Sequence, residues 1–220
     1  MRLRSVLVLL FSVAFLSAPA AFAAPQSYVV NGTLPGLGSA HVVGFTINGQ
    51  AKNAYAVGFD ASLGGTKGVS FCGDLLHTIG LDQTYAASPI DVGGLAAGYA
   101  TAVKMAQRWS FDLGSLASGL ADATAGAQLA IWETIYGNQF TVTSALSAGT
   151  LAAYNTVLGT DYAGLGMGNS VFLDVLKGTT KKQGHIFTPN GPSSTPEPGA
   201  ALLYSAGLVI VAHALRRGLV

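Results

Sequence analysis

Apolar positions along this chain recur first with the period of strands and then with the period of helices, between two mainly apolar runs at residues 6–16 and 199–215. Tyr28-Val29-Val30 starts a strand, residues 41–47 read as another, and the alternation over 54–59 reads as its return. Asn48-Gly49 between them is the pair that a tight two-residue hairpin favours. Ser62-Leu63-Gly64-Gly65 breaks the pattern, and residues 69–72 form a short strand that closes the β-rich part. From Leu95 the spacing is helical: Leu95, Tyr99, Ala102, Val103 and Ala106 fall on one side of a helix. Residues 121–136 form a second helix, free of proline, with Asp122 where the helix dipole favours an acid and Gly137-Asn138 as its stop. A third helix is expected over 144–158 with Thr143 or Ser144 as N-cap. A glycine-rich loop at 159–169 precedes strands at 171–176 and 185–188, joined by a turn over 177–184.

The order strands, helices, strands predicts an α+β fold: an antiparallel β-sandwich or barrel carrying a helical insertion. Alternating βαβ units, the mark of a parallel doubly wound sheet, are missing from the pattern.

The termini read as targeting segments. Arg2 and Arg4 precede the apolar run at 6–16, and Ala21-Phe22-Ala23 is a small-x-small cleavage site, so residues 1–23 are expected to be a signal peptide and Ala24 the mature N-terminus. Residues 24–188 then form one domain, 189–195 a linker, and 196–220 a C-terminal segment containing a transmembrane sorting helix. In that segment Pro196-Glu197-Pro198 cannot continue a helix or sheet, because proline fixes φ and lacks a donor. The apolar run after it is about one membrane crossing, for which roughly 17–25 residues are needed. Arg216-Arg217 follows where a positive-inside stop belongs.

Charge changes its meaning once these segments are set aside. The whole chain has a formal net charge of +1. Without Arg2, Arg4, Arg216 and Arg217, seven basic residues face ten acidic ones. No basic patch remains that would bind nucleic acid; Lys181-Lys182 reads as a solvated turn. Cys72 is the one cysteine, so an exported chain has no internal disulfide: its thiol is free, intermolecular or modified.

The triplet, the apolar span and the basic pair, from Pro196 to Arg217, closely resemble the PEP-CTERM signal of Gram-negative surface and matrix proteins. That resemblance implies processing by an exosortase, a membrane-embedded transpeptidase-like enzyme. It also implies transient anchoring in the inner membrane, then release to the cell surface or extracellular matrix.

A second constellation lies in the domain. Thr124, Gln128, Trp132 and Ile135 are three or four apart and share a helix face that is expected to be buried. A buried amide needs partners, since burial without them costs a few kcal/mol. A hydrogen bond to a backbone edge is one reason for Gln128 to be there. Another involves Cys72. Phe71-Cys72 followed by Gln128-Leu129-Ala130-Ile131-Trp132 resembles the thioester domains of bacterial surface proteins, over roughly residues 69–136. The resemblance implies that the Cys72 thiol condenses with the Gln128 carboxamide, with loss of ammonia, to give an internal thioester. This bond would acylate an amine or hydroxyl of an extracellular polymer or protein, with Trp132 shielding the site from water. Such acylation is single-use, so the chain would not be an enzyme. Asp74 keeps the acid usual after the cysteine in that family, whereas Gly73 and Ala127 depart from its aliphatic residue and threonine. In the alternative reading the protein is a non-covalent structural or adhesive matrix protein with an inert cysteine.

Other chemistry is weakly marked. Nothing near Cys72 signals the base and orienting group of a cysteine hydrolase: His77 lies five residues on, and His41 and His185 are distant in sequence. The histidines and dispersed aspartates show neither zinc nor calcium spacing, and no cofactor is expected. Glu133 is expected to be solvated or paired.

Overall fold

The computed structural model describes residues 24–34, 41–117 and 119–190. The expected signal peptide, the expected sorting segment with Pro196, Glu197, Pro198, Arg216 and Arg217, and the expected linker beyond Asn190 fall outside the described residues. Among the described residues no helix is long and apolar enough to cross a membrane.

Among the described residues, ten strands and four helices follow in chain order. The strands are β1 (Gln26–Leu34), β2 (His41–Ile47), β3 (Gln50–Ala56), β4 (Gly58–Leu63), β5 (Thr66–Cys72), β6 (Thr84–Ile90), β7 (Phe140–Val142), β8 (Val171–Lys177), β9 (Thr180–Lys181) and β10 (His185–Pro189). The helices are α1 (Ala97–Trp109), the short α2 (Leu113–Leu116), α3 (Leu120–Tyr136) and α4 (Ala148–Gly159). The fold is α+β, and of the two expected β architectures it takes the barrel. Strands run in the order β10-β5-β4-β1-β6-β8, and β8 pairs back to β10, closing six antiparallel strands. The short strand β9 extends β8 as a hairpin. A separate sheet, β3-β2-β7, is antiparallel too.

Strand alternation assigns the two faces of the barrel wall. Tyr28, Val30, Ala61, Cys72, Tyr85, Ala87, Leu173, Val175 and Phe187 belong to one core, joined by Val43, Phe45 and Ile47 of β2. The intervening Val69, Phe71, Phe172 and Ile186 point outward and pack under the helices in a second core. Helix α3 lies between the cores and serves both: Ala125, Leu129 and Trp132 face the first, Ala123, Ala127, Ala130 and Ile131 the second. Ten consecutive residues, Ala123 to Trp132, are therefore buried, as a helix enclosed on all sides requires. Gly126 permits this enclosure, because a Cβ there would stand 2.5 Å from that of Ala153 on α4.

Several elements differ from the expectation. The return of the β2 hairpin does not span 54–59. Asn48 and Gly49 both have positive φ, 52° and 74°, which makes the tight turn and pairs Ile47 with Gln50 at once. The chain then changes sheets at Val57, so residues 58–63 belong to the barrel. Residues 69–72 do not end the β-rich part, because β6 follows; its inward residues Tyr85 and Ala87 alternate with Thr84, Ala86 and Ser88, small residues that give little apolar signal. The third helix starts at Ala148, not 144. Ser147 is its N-cap, accepting from the Thr150 N–H, while Thr143 and Ser144 are held at β2 through Gly44. Ile135 is half-buried, unlike the other three residues of its expected face.

Candidate functional site

Cys72 is the last residue of β5, and its surroundings follow from strand register. It lies directly opposite His185 on β10, and the Gly73 N–H donates to the Gly184 carbonyl at 2.8 Å. That bond between flanking residues makes Cys72 and His185 a non-hydrogen-bonded pair, with side chains on the same barrel face. The N–H and C=O of Cys72 therefore point the other way, toward β4. There β4 begins at Gly58, paired with Phe71, and reaches no farther along β5. Two main-chain groups would be left without partners inside the protein.

Gln128 fills that gap. The Cys72 N–H donates to Gln128 Oε1 at 2.8 Å, and Gln128 Nε2 donates to the Cys72 carbonyl at 2.8 Å. The fully buried amide acts as one more residue of β4, and its backbone-edge hydrogen bond falls on the very residue that the thioester resemblance singles out. The structure thus brings Cys72 and Gln128 together, through the main chain of one and the side chain of the other.

The thiol itself is enclosed, 3 % exposed. It donates to the Asp74 carbonyl at 3.1 Å, which also accepts from Gln183 Nε2 at 2.8 Å. The Leu75 N–H donates to the Tyr136 hydroxyl at 3.0 Å, and the Asp74 carboxylate accepts from the Leu76 N–H and from His77 Nδ1. Residues 73–77 are thereby folded over the sulfur. Burial pushes the thiol pKa up to about 12, so the resting group is the thiol and not the thiolate.

Trp132 lies one helical turn beyond Gln128 and is 1 % exposed. Phe45 and Phe140 of the small sheet hold its ring, with centroids 5.8 and 6.1 Å away. Its indole N–H is buried and makes no hydrogen bond among the described residues. An unmade bond of this kind costs about 1–3 kcal/mol. Glu133, on the neighbouring face, is in no ion pair among the described residues, and partial burial raises its pKa.

His185, distant in sequence, is brought beside Cys72 by the fold as its cross-strand partner. Strand patterns reveal which way side chains face but not which strand pairs with which, so no local signal marked it. It belongs to a second buried polar cluster. Tyr28 donates to Ser70 Oγ at 2.8 Å, and Ser70 donates to the Ile186 carbonyl at 3.0 Å. Both hydroxyl protons are then used, so His185 Nδ1 carries the proton it shares with the Tyr28 and Ser70 oxygens at 3.0 and 3.1 Å. Its Nε2 is left as an unpartnered acceptor. Burial lowers the imidazole pKa to about 3, which keeps the ring neutral. No hydrogen bond joins it to Cys72 among the described residues, and both side chains are closed to solvent.

Asp122, in the first turn of α3, is surrounded by His41 and by the hydroxyls of Ser147 and Thr150 at the start of α4. A surface groove of about 240 Å³ is lined by Lys104, Gln107, Arg108, Phe111, Leu165 and Gly166 and shares no residue with the Cys72 site. Among the described residues no three His, Cys, Asp or Glu side chains converge as metal ligands. Compared with family models, curated proteins and solved structures, the chain matches none.

Proposed function

We propose that this is an exported cell-surface or extracellular-matrix protein, processed by an exosortase, that attaches covalently to its surroundings through a Cys72–Gln128 thioester. The observation that carries the thioester is the seating of the Gln128 amide on the main chain of the only cysteine, inside a site closed to water. The sulfur adds to the Gln128 carboxamide carbon. The tetrahedral adduct collapses by breaking the bond to Nε2, which leaves as ammonia with the thiol proton. Proximity drives the step: orientation of paired groups replaces roughly 7–11 kcal/mol of barrier. An amine or hydroxyl on a polymer or protein later attacks the acyl carbon, and Cys72 departs as the thiol. Each molecule reacts once.

Methylamine tests this directly. It should add at residue 128, as mapped by tandem mass spectrometry, and release one titratable thiol per chain. An unlabelled Gln128 with a freely titrating Cys72 under denaturing conditions, before any amine is added, would sink the thioester. The sorting half rests on Pro196-Glu197-Pro198, the apolar run and Arg216-Arg217. Its test is the C-terminal peptide of the surface form, expected to end near the triplet; recovery of the Arg216-Arg217 end outside the cell would contradict it.

A second reading is favoured by the same geometry. Gln128 satisfies the open edge of β5, and the thiol is held protonated. On that reading the cysteine is inert and the domain is a non-covalent structural or adhesive matrix module.

A further inference from the structure

A target has to reach an acyl carbon that the fold closes off, since Gln128 is fully buried and Cys72 is 3 % exposed. The cover is the segment 73–77, and its hold depends on the chemical state of the two reacting side chains. The Cys72 carbonyl faces β4, where its partner is Gln128 Nε2 at 2.8 Å. The Asp74 carbonyl accepts from the thiol at 3.1 Å and from Gln183 Nε2 at 2.8 Å. Condensation removes a donor from each. The Sγ–Cδ bond forms, the Cδ–Nε2 bond breaks, and ammonia departs with the thiol proton. The Cys72 carbonyl is then without its donor, and the Asp74 carbonyl keeps Gln183 alone. Two hydrogen bonds that tie residues 72–74 down are consumed by the reaction itself.

We propose that condensation unlatches the cover: forming the Cys72–Gln128 thioester loosens residues 73–77, so the site opens to its target only once it is reactive. The inference rests on the thioester reading and concerns how that site is regulated. A buried carbonyl left unpaired favours local opening, in which water reaches it. Other ties limit the opening: the Gly73 N–H to the Gly184 carbonyl, Gln183 to Asp74, and the Leu75 N–H to the Tyr136 hydroxyl. Attachment does not remake the whole latch. Gln128 presents Oε1 and Nε2 to one residue, so the N–H on the oxygen's side of the amide is the donor. In a secondary amide the trans form puts the substituent, here the target, on that side. An ester has no N–H. Only the bond from the thiol to Asp74 returns, when Cys72 departs.

Hydrogen exchange of the full-length mature protein, read by mass spectrometry over residues 73–77, tests the latch. Three states are compared, each identified by intact mass. They are the condensed wild type, the wild type after methylamine, and Cys72→Ser, which keeps the Gln128 amide and a hydroxyl donor for Asp74. Exchange over 73–77 should be fastest in the condensed protein, by about ten-fold or more over Cys72→Ser. The methylamine adduct should fall between them, with one bond regained. Residues 102–106, in the middle of α1, should exchange alike in all three. Should Cys72→Ser fail to fold, the condensed protein against its own methylamine adduct still carries the test. Equal or slower exchange over 73–77 in the condensed protein would overturn the inference while leaving the thioester standing. Absence of ammonia loss in the wild-type protein would overturn both.

Discussion

Among the described residues, two buried polar clusters occupy adjacent positions along one strand pair. Tyr28, Ser70 and His185 lie within the barrel. Cys72, Gln128 and Trp132 lie where β5 runs past the start of β4. Each holds a polar atom with no partner among the described residues, His185 Nε2 in one and Trp132 Nε1 in the other. The difference is chemical. The barrel cluster has hydroxyls and an imidazole but no electrophile, so its hydrogen bonds can only hold strands in place. The Cys72 cluster puts a thiol and a carboxamide together. Burial alone does not distinguish the two; on the proposed reading, the pairing of nucleophile and acyl group does.

The comparison can be broken most severely at Gln128. Replacing it with alanine removes both hydrogen bonds from Cys72 and leaves a cavity. We expect a loss of about 3–6 kcal/mol in chemical denaturation, from two unpaired buried main-chain groups and the lost packing. A loss under about 1 kcal/mol would mean that water or a shifted strand replaces the amide.

Acid probes the other cluster. The folded pKa of His185 is lowered by burial to about 3, whereas the unfolded chain has an ordinary histidine. Between these values the unfolded state binds the extra proton. The contribution to stability is therefore fully present above the unfolded value and is lost as pH falls toward the folded one. From pH 7 to 4.5 the protein should lose on the order of 2–3 kcal/mol through this group. The Asp122 carboxyl, lowered chiefly by its hydrogen bond from Ser147, adds acid sensitivity only below that window. His185→Gln should flatten the slope, measured by urea unfolding at several pH values; an unchanged slope would place the sensitivity elsewhere.

Tyr28→Phe is the mildest change. It removes the hydroxyl that bridges Ser70 and His185 and keeps the ring against Phe187. A loss of about 1–2 kcal/mol is expected. The yield of thioester should not change, because the barrel cluster takes no part in the chemistry. A reduced yield would join the two clusters into one machine.

Much of this was legible where the determinants are local. Asn48-Gly49 marks its hairpin because only certain residues tolerate positive φ at both turn positions. The helix of Gln128 and Trp132 is marked by its spacing, and the amide on a buried face demanded a partner. What stayed hidden was set by tertiary pairing. Val57 passes from one sheet to another with no turn residue to announce it. The small residues of β6 carry little hydrophobic signal. Ser147, and not Thr143 or Ser144, caps α4, because β7 and Gly44 hold the preceding segment in place. The contact between Cys72 and His185 joins residues of two strands far apart in sequence, and only barrel closure brings them together.

The central claim is that Cys72 and Gln128 are joined. Intact mass of the purified mature protein, taken without amine or reductant, tests it most directly. The account predicts a mass about 17 Da below that of the sequence, restored to the full value by Cys72→Ala after allowance for the substitution. A full mass in the wild-type protein would contradict it and leave Gln128 as the clip that finishes a strand.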